Sequence, residues 1–159
     1  MIYITNKNKK RTGHFEVGKV KHTTNQVKKH MSQMSSEEID YMKDKLRNLN
    51  ITLSRHLKEK EDTFYMVDFQ NEMKDLNNLN IIEYNETLTR NKFLDYRVLL
   101  RTNNTYEVNV DGRKEICQLC FVVSIKTGKI VTAYWNKSND VHKSLNLSRY
   151  DKNIKIIKK

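Results

Sequence analysis

The chain of 159 residues contains no proline, four glycines and two cysteines. It has no apolar run near the roughly 18 residues that a membrane-spanning helix needs. The basic N-terminus MIYITNKNKKRTG also lacks the apolar segment of a secretory signal. We therefore expect a cytoplasmic protein that does not enter a membrane.

The two cysteines, Cys117 and Cys120, are too few and wrongly spaced for a metal site. They lie three residues apart in a predicted strand, so their side chains point to opposite faces. The chain also lacks a His-Glu-x-x-His motif, a tight acidic cluster suited to Mg²⁺ and a glycine-rich phosphate loop. We expect two buried thiols, no metal and no cofactor.

Positive charge is abundant and concentrated at both ends of the chain. Lysine and arginine number 30 against 19 acidic residues, a net charge of +11. Residues 1–31 carry eight basic and one acidic side chain, and residues 137–159 carry seven and two. This distribution favours a polyanionic partner such as nucleic acid. The alternative is that the basic ends are solvated tails.

Local patterns predict helices in the first half and strands in the second. Ser35 and Glu38 form a capping box that begins a helix over about 36–49. Shorter helices are predicted within 22–30, 55–62 and 70–79. Five candidate strands follow, over 80–86, 95–102, 105–112, 116–125 and 129–136, with turns at 110–112 and 126–128.

These patterns predict a single α+β domain over 1–159, in which N-terminal helices pack on a C-terminal antiparallel sheet of about four to five strands. Its parts are a basic irregular N-terminus (1–13), a mainly helical region (20–79), the sheet (80–136) and a basic C-terminal segment (137–159).

Polar side chains share one face in two of the predicted strands. On the last strand they are Thr132, Tyr134 and Asn136, which alternate with Val131, Ala133 and Trp135. On the strand DYRVLLR, Arg97 and Arg101 share a face, and an arginine there needs a partner or an anion. The two strands together predict an anion-binding concavity. The alternatives are a solvated face and a salt bridge from Arg97 to Asp95 or Glu83.

Cleavage of RNA without metal is a reaction that suits such residues. It needs a base for the 2′-hydroxyl proton, an acid for the leaving 5′-oxygen and donors around the phosphate. His22 is the preferred candidate among five histidines, with His14 and His30 as rivals, although an exposed histidine is the ordinary interpretation of each. The neighbouring lysines that would bind RNA are Lys19, Lys21, Lys28 and Lys29.

The stretch TGKIVTAYWN, preceded by DYRVLLR and ICQLCFVVSI, resembles the C-terminal sheet of phage-borne members of the barnase–EndoU–colicin D–RelE-like nucleases. These are small metal-independent ribonucleases with N-terminal helices on an antiparallel sheet, and the resemblance covers roughly residues 20–152. It implies that His22, with Lys28 or Lys29, belongs to the helical motif. It implies that Arg97 is the strand arginine, and that Thr132 and Tyr134 form the late pair. Threonines and Gln26 stand where the family commonly has basic residues.

The resemblance implies a phage-encoded endoribonuclease that acts by 2′-hydroxyl transesterification and leaves a 2′,3′-cyclic phosphate and a 5′-hydroxyl. His22 would act as base or acid, Arg97 and Arg101 would hold the phosphate, and Thr132, Tyr134 and Asn136 would assist. The alternatives are a non-catalytic nucleic-acid-binding regulator and a phage inhibitor that docks on a host or defence protein. The sequence does not predict an oligomeric state.

Overall fold

A computed structural model describes residues 2–4, 26–60, 64, 67–140 and 147–157. These residues form an α+β fold around one seven-stranded sheet. The strands are β1 (Ile2–Ile4), β2 (Gln26–His30), β3 (Thr52–Leu53), β4 (Leu79–Leu88), β5 (Leu94–Val110), β6 (Arg113–Ser124) and β7 (Lys129–Lys137). The helices are α1 (Ser36–Arg47), α2 (Arg55–Lys58) and α3 (Phe69–Glu72), with 3-10 turns at Met31–Gln33, Leu76–Asn78 and Leu147–Arg149.

Strands β4 to β7 form an antiparallel meander in which neighbours in sequence are neighbours in space. The sheet order is β2-β4-β5-β6-β7-β3, and β1 pairs with the far end of β5. The predicted number of strands, four to five, is therefore too low, because three short strands from the first part of the chain join the meander.

Helix α1 begins where its capping box predicts. The backbone N–H of Glu38 donates to Ser35 Oγ at 3.2 Å, and the Ser35 N–H donates to Glu38 Oε1 at 3.0 Å. The helix ends at Arg47, slightly before the predicted residue 49, and it buries Met42 and Leu46. It is the longest described helix at 12 residues. No helix in the described ranges is long and apolar enough to cross a membrane.

The predicted helix over residues 22–30 is wrong for its described part. Residues 26–30 form β2, which pairs antiparallel with β4 at one edge of the sheet. Charged side chains are common on such edge strands. The local pattern of this basic segment is compatible with a helix, but pairing with a strand distant in sequence makes the segment extended.

Other boundaries also differ from the predicted ones. The strands predicted over 95–102 and 105–112 are one strand of 17 residues, because Asn103 and Asn104 lie in a bulge between Arg101 and Thr105 and not in a turn. The helices predicted over 55–62 and 70–79 shorten to the four-residue helices α2 and α3.

The main core lies against one face of the sheet. Val98 and Leu100 of β5 and Ala133 and Trp135 of β7 belong to it, as their alternation predicts, and helix α1 adds Met42. The tight turn before β7 depends on Gly128, whose φ is +78° and whose Cα faces the Asn50 carbonyl closely enough that a Cβ would lie 2.2 Å from that oxygen. Because side chains alternate along a strand, the polar side chains of β5 and β7 lie on the opposite face of the sheet.

Candidate functional site

The polar face brings together side chains from three adjacent strands. Opposite residues in an antiparallel ladder point to the same side of a sheet. The register places Lys28 of β2 opposite Asn85 of β4, and Asn85 opposite Arg97 of β5. It also places His30 opposite Glu83. Two cations, an imidazole and a carboxylate thus share this face, and we name Lys28, His30, Glu83 and Arg97 the polar-face cluster.

Glu83 is the centre of the cluster and is only 3% exposed. Tyr150 donates its hydroxyl to Glu83 Oε1 at 2.9 Å. The Lys28 ammonium lies 3.6 Å from the other carboxylate oxygen. Burial raises the pKa of Glu83, and Lys28 and Tyr150 only partly oppose this effect. A carboxyl group of raised pKa beside a histidine is a common arrangement for proton transfer.

His30 is held in one orientation beside this carboxyl group. The Ser32 backbone N–H donates to His30 Nδ1 at 3.2 Å, so Nδ1 is an acceptor and the neutral ring carries its proton on Nε2. The ring meets Tyr150 edge-on, with 5.2 Å between ring centroids, and His30 is 4% exposed. Tyr150 therefore contacts both Glu83 and His30.

Arg97 makes the salt bridge that the sequence left as an alternative. Its Nε donates to Asp95 Oδ2 at 2.8 Å, and Asp95 Oδ1 accepts from Ser124 Oγ at 2.6 Å. The Arg97 side chain is 22% exposed, whereas that of Asp95 is 7% exposed. The bond to Asp95 thus fixes Arg97 Nε, while the rest of the guanidinium reaches the surface. The remaining N–H groups of Arg97 point to no acceptor in the part of the chain that the structure describes.

Arg101 and Asn136 are engaged inside the protein. Arg101 is 4% exposed, and its Nε donates to Gln118 Oε1 at 2.6 Å. Its Nη2 donates to the carbonyls of Lys137 and Ser138 at 3.2 and 3.4 Å. Asn136 is 1% exposed and donates weakly to the Asp140 carbonyl at 3.5 Å. In the observed arrangement these two residues anchor the end of β7.

The two lysines of β2 lie on opposite faces. The Lys29 ammonium donates to both oxygens of Glu38 in helix α1, at 2.8 and 2.9 Å, and to the Ile154 carbonyl at 3.1 Å. It therefore ties the sheet edge to the helix and to the C-terminal segment, and it does not join the polar-face cluster. Of the two, Lys28 alone lies on the face of Arg97.

Thr132 and Tyr134 lie on the polar face but at a distance from Glu83. The register runs from Glu83 through Leu99 and Val122 to Thr132, which is three strand spacings or roughly 14 Å. The Tyr134 hydroxyl is buried without a hydrogen-bond acceptor of good geometry among the described residues. Its pKa is raised by burial and by the neighbouring Cys120 thiol, whose own pKa burial raises to about 12. The thiol is consequently protonated and unreactive.

Several predicted site residues lie outside the described residues: His14, Lys19, Lys21 and His22. Sequence reasoning missed Tyr150 and gave Glu83 only as a partner for Arg97. The strand NIIEYNE does place an acidic residue between two apolar ones, which is a signal for a buried carboxyl group. No local signal identifies Tyr150, because its contact with Glu83 spans 67 residues.

The described residues contain no group of three or more His, Cys, Asp or Glu side chains that is arranged to hold a metal ion. No protein-family model, curated protein or solved structure was found to match the chain.

Proposed function

We propose that this chain is a metal-independent endoribonuclease of barnase-like architecture, with the polar-face cluster as its reaction centre. The convergence of Lys28, His30, Glu83 and Arg97 on one sheet face is the observation that carries the proposal. The net charge of +11 supports a polyanionic substrate. The resemblance of residues 127–136 to the late strand of such nucleases agrees with it.

The cluster contains the groups that the reaction needs. Glu83, with its raised pKa, takes the proton from the 2′-hydroxyl, and the 2′-oxygen attacks phosphorus. His30 gives the proton of its Nε2 to the leaving 5′-oxygen from its protonated form, in which Nδ1 donates to Ser32 Oγ at 2.9 Å instead of accepting the Ser32 N–H. His22 is the alternative group for this role. The products are a 2′,3′-cyclic phosphate and a 5′-hydroxyl end.

Arg97 and Lys28 hold the phosphate from either side. They are two strand spacings apart, roughly 10 Å between Cα atoms, and both have long side chains. Arg97 donates to the phosphate through its exposed N–H groups, and charge-assisted bonds of this kind strengthen as negative charge develops. Thr132 and Tyr134, with Arg101 and Asn136 behind them, then border the adjoining nucleotide.

Tyr150 controls access, since it covers both Glu83 and His30. RNA reaches these groups only when the Tyr150 side chain moves aside. The Tyr150→Ala variant is therefore expected to cleave faster than the parent protein, whereas Glu83→Gln is expected to be slower by about 100-fold or more.

The test is incubation with single-stranded RNA in EDTA, followed by chemical identification of the new ends. Glu83→Gln, His30→Ala, His22→Ala and Arg97→Ala are compared with two matched controls, Glu107→Gln and Arg113→Ala, which change exposed side chains of β5 and β6. Cyclic phosphate ends, together with loss of cleavage in Glu83→Gln and Arg97→Ala but not in the two controls, support the proposal, and the comparison of His30→Ala with His22→Ala identifies the acid. Unchanged cleavage in both Glu83→Gln and Arg97→Ala refutes the site.

A non-catalytic nucleic-acid-binding protein is the second candidate. The 3% and 4% exposures of Glu83 and His30 favour it, because such burial is also typical of a purely structural polar pair. Such a protein would bind RNA with a steep salt dependence and leave it intact, in the parent and in the Tyr150→Ala variant alike.

A further inference from the structure

The turn between β4 and β5 presents a second feature that the polar-face cluster does not use. The Thr89 N–H donates to the Phe93 carbonyl at 2.8 Å, and the Phe93 N–H donates to Thr89 Oγ1 at 3.2 Å. The Lys92 N–H donates to the Thr89 carbonyl at 3.0 Å, and Lys92 adopts a φ of +62°. The turn is thus closed by its own hydrogen bonds, and its side chains are presented from a defined backbone.

Apolar side chains are exposed together at this turn. Leu88, Phe93 and Leu94 are 39%, 42% and 40% exposed, and the register pairs Leu88 directly with Leu94. Val27, 46% exposed on the adjacent strand β2 and opposite Glu86, is a diagonal neighbour of Leu88, whereas Ile116 and Ile157 lie on separate elements. Exposed apolar groups that cluster at one place indicate a contact surface more strongly than scattered ones do.

Basic side chains predominate around these residues, and the one acidic neighbour on the face of Leu88, Glu86, accepts the Tyr84 hydroxyl at 2.7 Å. Arg90 and Lys92 are exposed in the turn, and residues 87–94 include no acidic residue. Lys126, from the turn before β7, donates to the Leu94 carbonyl at 2.7 Å and holds its ammonium 4.2 Å from the centre of the Phe93 ring. The nearest acidic residue in the strand, Asp95, is buried and is engaged by Arg97 and Ser124.

We propose that this surface, residues 88–94 with Lys126, is a binding site for single-stranded nucleic acid in which one base stacks on Phe93. Arg90, Lys92 and Lys126 contact the flanking phosphates. An aromatic ring among cations is the combination that binds single strands without reading their sequence. The inference rests on the RNA ligand of the proposed function but not on its cleavage chemistry.

The experiment measures binding of a fluorescent single-stranded oligouridylate by anisotropy, in EDTA and at several salt concentrations. Phe93→Ala is expected to weaken binding by about 5- to 100-fold with little change in the salt slope, and Phe93→Trp is expected to restore it. Lys92→Ala is expected to reduce the slope by about 0.7. Ile116→Ala is the matched control, because Ile116 is 43% exposed on another strand.

The outcomes separate this inference from the proposed ribonuclease. Binding that depends on Phe93 in a protein that leaves RNA intact supports the inference and removes the ribonuclease. Cleavage with unchanged binding by Phe93→Ala overturns the inference alone. An absence of RNA binding, or an equal loss in Ile116→Ala, also overturns it. The inference is also overturned if Phe93 is required for binding to anionic phosphatidylserine vesicles but not for binding to RNA, because that result would assign the surface to a membrane.

Discussion

Replacement of Lys29 by methionine tests whether Lys29 stabilises the fold or binds RNA. Methionine keeps the unbranched stem but removes the ammonium, which donates to both Glu38 oxygens and to the Ile154 carbonyl. Lys29 is 5% exposed. The change therefore removes the donor for three acceptors at the junction of β2, helix α1 and the C-terminal segment.

The expected loss of stability lies between two limits. Exposed ion pairs contribute about 0.2–1 kcal/mol, whereas removal of one partner from a buried pair costs about 3–5 kcal/mol. The side chain of Glu38 is 13% exposed and still accepts the Ser35 N–H after the substitution. We therefore expect Lys29→Met to lose about 2–3 kcal/mol, which corresponds to a fall in Tm of about 5–10 °C for a chain of this size.

The loss should depend on pH in a defined direction. Burial raises the pKa of Glu38, but the hydrogen bonds from Lys29 and from the Ser35 backbone outweigh it, so the folded-state pKa lies below the ordinary value of 4.5. A carboxyl group of depressed pKa stabilises the fold above its unfolded-state pKa and loses that contribution as pH falls through the folded-state pKa. The difference between parent and variant should therefore shrink below pH 4.5.

Urea unfolding followed by circular dichroism measures these differences, and Lys114→Met is the matched control. Lys114 pairs with Glu107 at 2.8 Å, the same distance as in the Lys29–Glu38 pair, but these two side chains are 55% and 50% exposed. The control is expected to lose less than about 1 kcal/mol. Equal losses in the two variants would refute the reasoning. So would weaker RNA binding by folded Lys29→Met than by folded Lys114→Met.

Three further changes are predicted from single contacts. Because burial raises the folded-state pKa of Glu83, its ionised form opposes folding, so the parent should lose more stability than Glu83→Gln as the pH rises above 4.5 in the same unfolding assay. Gly128→Ala should cost about 2 kcal/mol or more, since its Cβ would meet the Asn50 carbonyl, whereas Gly112→Ala, at φ +84° with open space around it, should cost about 1 kcal/mol. Ser35→Ala removes the cap of α1 and should cost about 1 kcal/mol, measured as a shift in the urea midpoint at constant slope.

The elements that the sequence predicts well are those whose signals are local. Helix α1 follows from Ser35 and Glu38, which lie within one turn of each other. The hairpin turn at 110–112 follows from Asp111 and Gly112, which both adopt positive φ. Alternation along 129–136 correctly places Ala133 and Trp135 in the main core, but it is wrong for Val131, because an irregularity in the pairing with β6 puts Ile130 there instead.

The elements that it does not predict depend on partners far along the chain. In β2, both alternating positions include a lysine, so residues 26–30 show no apolar face, and only pairing with β4 identifies them as a strand. β3 has two residues and is defined by its pairing with β7. In β5, Asn103 and Asn104 resemble a turn in sequence, yet the bulge accommodates them without ending the strand.

The candidate site was predicted in part for the same reason. Alternation correctly places Arg97 and Arg101 on one face, but it cannot tell that Asp95 holds Arg97 or that carbonyls near the end of β7 hold Arg101. The proximity of Lys28 and His30 to Glu83 is a consequence of the strand pairing that the sequence did not reveal. Non-local contacts thus decide which polar residues meet.

The strand order also imposes an order of events during synthesis. β3 ends at Leu53, but its partner β7 begins only at Lys129, 76 residues later. At a translation rate of about 5–20 residues per second, β3 waits roughly 4–15 s for that partner to emerge. Likewise β2 waits for β4, which begins at Leu79. The β3 edge of the sheet is therefore synthesised early but can close only after β7 has emerged, whereas the β2 edge can close once β4 has emerged.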